Sequence, residues 1–213
     1  MTKDNFKAIL DKYADEIGQI RYSAHSLHAS VNQNYDQVHP YGYHLDMVAK
    51  LVQRYGYYVC SDEADVLPLI FGAYYHDAIE DARRTYNDVL RTARQFMDEE
   101  QALLAAEIVY ALTNDKGRTR AERAGERYYQ GIRSTPYAPL VKLADRLANA
   151  TYSFRHLNEK NDFAGLNAQM REVYRREMPH FLQSITVPNT DDLRYQLPPE
   201  MIKAAEALIE ESK

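Results

Sequence analysis

The sequence is poor in the features that mark several large protein classes. Its 213 residues include one cysteine, Cys60, so no intramolecular disulfide can form. That usage fits a reducing compartment, and the expected location is the cytoplasm. Tryptophan is absent. No apolar run approaches the ~18 residues a membrane-spanning helix needs, so no membrane partner is expected. The opening stretch, "MTKDNFKAILDKYADEIGQI", is charged and amphipathic and lacks the apolar centre of a secretory signal. Positive charge is not in excess either. The net charge is −5, whereas a duplex-binding protein presents a basic footprint. No duplex nucleic-acid partner is therefore expected.

Helical periodicity is what the chain does have. Apolar residues recur at three- and four-residue spacing over 4–20, 44–55, 98–112, 137–154 and 198–211. Alternation typical of a strand never exceeds a few residues. Ser61 and Asp62 precede "EADVLPLIFGAYYHD", where Pro68 requires that a helix begin just before it. Thr85 is placed to cap "YNDVLRTARQF". Thr119 is placed to cap "RAERAGERYYQGIR", with Glu122 as its capping-box partner. "STPYAP" and "VPNTDDLRYQLPPE" break the pattern. The expectation is an all-α fold, one domain over 1–213, with 156–213 as C-terminal helices packed on the rest. Most of the 18 tyrosines are expected in half-buried positions.

One stretch resists that simple picture. "YYHDAIED", residues 74–81, sets four ionisable groups into what otherwise reads as a buried helix. On a helix, His76 and Glu80 lie about 40° apart, one turn along, and Asp77 and Asp81 form a second such pair. A single histidine there would be an ordinary core residue. Adjacent histidine and aspartate in apolar surroundings cost several kcal/mol unless a cation meets them. Further ligands are at hand. His44 begins the amphipathic run "HLDMVAKLV", and Asp145 lies among Leu143, Ala144, Leu147 and Ala148. Two imidazoles and two carboxylates from three helices suit a hard or borderline divalent metal.

These residues carry a family resemblance. H…HD…D is the pattern of the HD phosphohydrolases. "PYGYH" resembles P-Y-x-x-H, "HDAIED" resembles H-D-x-x-E-D, and "VKLADRLAN" resembles K-L-A-D-[RK]-L-x-N. "ALTNDKGRTRAERAGERYYQ" resembles the T-x-x-K…R stretch before the last motif. Their order is that of the hydrolase domain of RelA/SpoT-type enzymes and of free-standing small alarmone hydrolases, with the catalytic core about 20–155. The resemblance implies an HD-domain helical bundle acting on a small-molecule nucleotide, removing 3′-pyrophosphate from guanosine tetra- or pentaphosphate with one manganese ion. Iron, zinc or another divalent ion is the alternative. It further implies His44, His76, Asp77 and Asp145 as metal ligands and Glu80 and Asp81 as the catalytic pair. Asn149 and Lys142 match substrate-contacting positions. Lys116, Arg118, Arg120 and Arg146 could supply charge for phosphates, although Arg146 could equally pair with a carboxylate. The metal would neutralise phosphate charge and acidify water, and Glu80 would move a proton.

The chain departs from the pattern at 31–37, where family members carry a basic stretch. Here it reads "VNQNYDQ". Guanine preference should weaken, and Tyr35 could stack on a base instead. "RYGYYVCSDEADVL" reads as extra loop between His44 and His76. His25 and His28 are one turn apart, but no carboxylate near them in sequence supports a second metal. The rival readings are a nucleoside monophosphatase or other nucleotide phosphatase with the same metal box, and a non-catalytic metal- or partner-binding module. The full set of ligand types disfavours the latter.

Overall fold

The structure, a computed structural model, describes residues 1–114, 119–156 and 166–210. Its regular elements are helices. Extended pairing among the described residues is limited to an isolated bridge between Asn34 and Pro40. The amphipathic run at the start divides at Tyr13 into α1 (Lys3–Lys12) and α2 (Ala14–Ser30). After the loop at 31–41, α3 (Gly42–Tyr55) buries His44, Leu45, Val48, Ala49 and Val52 along one stripe. The segment that reads as extra loop is a compact connector. It holds 3₁₀ turns at Gly56–Tyr58 and Glu63–Asp65 and fully buries Val59 and Cys60.

α4 (Val66–Tyr75) explains the rest of the packing. Every one of its residues is buried, as a sequence without a charged side chain requires, and Pro68 falls in the first turn, where no helical hydrogen bond is lost. Leu69, Ile70 and Phe71 are fully buried, each contributing about 1.5–3 kcal/mol. α2, α3, α9 (Ala138–Arg155) and α6 (Glu99–Leu112) pack around it. A Cβ on Gly72 would stand 2.6 Å from Ile108 Cγ2, so glycine permits the close approach of α4 and α6.

Caps set the intervening boundaries. α5 (Tyr86–Ala93) opens with a Thr85–Asp88 capping box and α6 with an Asp98–Gln101 box. Thr119 and Glu122 cap each other as expected, at 3.2 and 3.3 Å. The helix they start, α7 (Arg120–Arg123), lasts one turn. Gly125, in an extended conformation, then starts α8 (Glu126–Ser134). Before α9, Tyr137 takes a left-handed φ of 66°. It is held there by its N–H to Arg194 O at 2.7 Å and by its hydroxyl to Asp65. α10 (Leu166–Ile185) and α11 (Pro199–Glu210) pack against α9 and against each other.

Candidate metal centre and active-site cleft

α4 ends at the ionisable motif. Tyr75 is its last residue, and His76–Asp81 form successive turns, with Ala78 N–H bonded to Tyr75 O and Asp81 N–H to Asp77 O, both at 2.8 Å. The expected helix through Asp81 is thus corrected. The physical reason is burial: continuing the helix would drive carboxylates into the apolar bundle. Instead His76 is buried, Asp77 half-buried, and Glu80 and Asp81 are exposed.

His76 Nδ1 donates to the Ala73 carbonyl at 2.9 Å, which fixes its tautomer and turns Nε2 inward. His44, from the first turn of α3, brings its Nε2 to 3.2 Å from that atom. Asp145, midway along α9, places Oδ1 3.3 Å from His44 Nε2 and 3.8 Å from His76 Nε2. Asp77 Oδ2 lies 2.8 Å from His76 Nε2 and 3.7 Å from His44 Nε2. The donor atoms of His44, His76 and Asp145 all fall within 4.8 Å of one another; Asp77 stands outside that tight trio while meeting both imidazoles.

The donor set fits a divalent cation. Atoms bound about 2.1 Å from one ion stand about 3 Å apart when their bonds are at right angles, close to the separations seen here. The same groups are strongly coupled electrostatically. Burial pulls the His76 pKa down, but Asp77 beside it prevails and raises it to about 9. Burial likewise pushes Asp77 up, and His76 brings it down to about 2. Asp145 is pushed up by burial and held well below the carboxylate range by Lys142 and His44. Each shift arises because imidazoles, carboxylates and the Lys142 ammonium are held against one another in one small cluster.

A polar cleft opens on this cluster, lined by Asp77, Glu80, Asn114, Lys142, Asp145 and Asn149, with Arg123, Arg146 and several tyrosines around them. Asn114 clamps Glu80: its Nδ2 lies 2.8 and 2.9 Å from the two carboxylate oxygens, and its N–H donates at 3.3 Å. Asp81 is absent from the lining and turns elsewhere, accepting from Gln33 Nε2 at 2.8 Å and Tyr41 Oη at 2.9 Å. The two adjacent carboxylates therefore have different surroundings.

The expected substrate residues also divide. Asn149 donates to Asp145 Oδ1 at 2.7 Å and accepts from the Tyr35 hydroxyl at 2.9 Å. Tyr35 stacks on His44 at 5.3 Å with a 2° interplanar angle, packed inward instead of offering its face to a base. Lys142 donates to Asp145 Oδ2 at 2.9 Å. Burial lowers its pKa, Asp145 raises it more, and it stays charged. Arg146 pairs with Glu177 at 3.1 Å between the rings of Tyr174 and Phe181. Lys116 and Arg118 lie outside the described residues. Arg123 is exposed in the cleft and has no ion-pair partner among the described residues.

The acidic residue in the loop that departs from the family pattern has a structural use. Asp36 accepts from the N–H groups of Val38 and His39, from His39 Nδ1 and from the Tyr152 hydroxyl, tying the loop to α9. His25 and His28 do not converge. His25 meets Asp46 of α3 at 3.1 Å, a carboxylate invisible in the local sequence, and His28 bonds Gln33 at 2.6 Å. Asn114, Arg123, Tyr41 and Gln33 were not singled out from sequence as site residues. The first three lie within the motifs that carry the resemblance, which was the available signal.

An all-α bundle that gathers such a cluster at a polar cleft defines a metal-dependent phosphohydrolase. The chain belongs to the HD-domain family, whose model matches residues 41–150. No curated protein matches it. A solved structure described as "A metazoan ortholog of SpoT hydrolyzes ppGpp and plays a role in starvation responses" is similar over 92% of this chain and 94% of its own. The TM-score is 0.60 and the identity 21%, a likeness of fold. Among the described residues no helix is long and apolar enough to cross a membrane.

Proposed function

We propose that this enzyme removes 3′-pyrophosphate from guanosine alarmones or related nucleotides, with manganese as its working ion. One observation carries the reading: the His44, His76, Asp77 and Asp145 donors meet beside a cleft into which Asn114 presents Glu80. The order of the four sequence motifs supports it, as does the fold shared with a protein described as hydrolysing ppGpp. His44, His76, Asp77 and Asp145 hold the ion, which when bound neutralises phosphate charge and acidifies water. Glu80 exchanges a proton with the attacking water or the leaving oxygen. Asn114 keeps its carboxylate aimed, Lys142 and Asn149 hold Asp145 in place, and Arg123 faces the outer phosphates.

A second reading, a nucleoside monophosphatase or other nucleotide phosphatase, is favoured by one observation. Lys142 and Arg146 are committed to Asp145 and Glu177, and the loop at 31–37 carries no cation. Grip on a highly charged substrate is accordingly modest, and discrimination for guanine is expected to be weak. Incubating the manganese-loaded enzyme with guanosine and adenosine alarmones and simple nucleotides, with products resolved by chromatography, decides between the two. Release of pyrophosphate from alarmones supports the first; release of phosphate from monophosphates alone replaces it with the second.

A further inference from the structure

Tyr41, just before α3, stands between two carboxylates. Its hydroxyl meets Asp77 Oδ2 and lies 2.9 Å from Asp81 Oδ2. A phenol has one proton to donate, so one of the two carboxylates must be satisfied by another donor. Gln33 supplies it to Asp81, with Nε2 2.8 Å from the same Oδ2. That carboxylate dictates the amide's orientation: the NH₂ faces Asp81, and Oε1 therefore faces His28 Nδ1 at 2.6 Å. Nδ1 must then carry the imidazole proton. The remaining nitrogen, Nε2, is buried without a hydrogen-bond partner among the described residues. Burial lowers the pKa of His28, which keeps the ring neutral. The ring also stacks on Tyr41 at 4.6 Å and 20°. A buried histidine from α2 is thus linked through Gln33, Asp81 and Tyr41 to Asp77 beside the imidazole pair.

We propose that Gln33, oriented by His28, is a positioning residue that assigns the single hydroxyl proton of Tyr41 to Asp77 and so fixes Asp77 for the cation. The proposal rests on the reading of Asp77 as a ligand. It gives the loop at 31–37 a role in metal affinity in place of a grip on substrate.

Calorimetric titration of the purified chain with manganese tests this without turnover. Tyr41→Phe removes the donor and should weaken binding on the order of tenfold or more, within the ~10–100-fold range for outer partners of a metal ligand. Gln33→Met should weaken binding severalfold. Gln33→Glu should do the same, because it keeps the acceptor for His28 but cannot donate to Asp81. In the Tyr41→Phe background, Gln33→Met should add nothing, since no proton remains to be assigned. Equal losses in both backgrounds, or native affinity in both Gln33 variants, would overturn the proposal. Nitrogen NMR of the native chain gives an arm that needs no variant. His28 should show a protonated Nδ1 and a bare Nε2, and the opposite tautomer would reverse the amide and remove the proposal. A native chain that binds no manganese sinks the ligand reading and this proposal together. One that binds manganese and hydrolyses no nucleotide sinks only the proposed activity.

Discussion

Helix α9 and the turns at 76–81 bring ionisable groups to the same cleft by opposite means. On α9 the helical period does the work. Lys142 meets Asp145 three residues on, and Asp145 meets Asn149 four residues on. At 76–81 the helix has ended, and successive side chains diverge. His76 and Asp77 face the imidazole–carboxylate cluster, Glu80 faces Asn114, and Asp81 faces Gln33 and Tyr41. Their partners arrive from the end of α6 and from the loop before α3. A helix orders its side chains by local geometry, whereas a run of turns depends on distant partners to aim each group. Distant substitutions should therefore disturb the turn more than the helix.

The largest effect should come from the cluster itself, where both regions meet. Asp145→Asn and Asp77→Asn are each expected to lose manganese and turnover together, read by elemental analysis beside an activity assay. If Asp77→Asn keeps the metal while Asp145→Asn does not, the tight trio of His44, His76 and Asp145 suffices and the turn contributes less than argued. Next in size is Glu80→Gln, which keeps shape and one acceptor but cannot exchange a proton. It should retain manganese and fold normally while turnover drops on the order of a hundredfold. Loss of metal in this variant would make Glu80 a ligand and erase the division of roles within the turn.

Asn114→Ala tests the dependence on distant partners directly. Without the clamp, Glu80 should lose its aim, and turnover should fall about tenfold, short of the ~10²-fold cost of a full misplacement. Metal content should stay at the native level. Unchanged turnover would mean that the turn aims Glu80 unaided. The smallest effect lies away from both regions. Burial pushes Asp46 up, but its bonds to Arg21 and His25 hold it below the usual carboxylate range. A carboxylate depressed in the folded state stabilises above its unfolded pKa, about 3.9, and that contribution fades as the pH falls through the folded value. Because Arg21 is half-exposed, Asp46→Asn should cost only about 0.2–1 kcal/mol at pH 7 and less near pH 3, measured by urea unfolding. Turnover should not change.

The helical period made most of the bundle readable in the sequence. The stripe of α3, the apolar α4 and the alternation around Asp145 all follow it, and the caps at Thr85 and Thr119 form as the residue types indicate. What escaped was set by long-range contact. Nothing local announces that α4 stops at Tyr75, because alanine and isoleucine continue the apolar pattern to residue 79. Glu80 therefore read as part of a buried face although it is exposed. The split between α7 and α8 turned on one glycine in an otherwise helical run. Gln33 read as a missing charge, since its partners, His28 and Asp81, are brought together only by the fold. Tyr35 read as a possible platform for a base, since its stacking on His44 depends on how the loop returns to α9.

α4 also acts as an electrical object. Its peptide dipoles align along ten buried residues, and the negative end of the array points toward the segment that holds His76 and Asp77. Water screens such a buried array poorly. A positive guest at that end gains about 0.3–2 kcal/mol, and a negative one is repelled on the same scale. An oligophosphate arriving at a site without its cation would meet both this field and the carboxylates of Asp77 and Asp145. A divalent cation held by Asp77 and Asp145 would reverse the local sign, and the proposed nucleotide would then meet an attractive floor in place of a repulsive one.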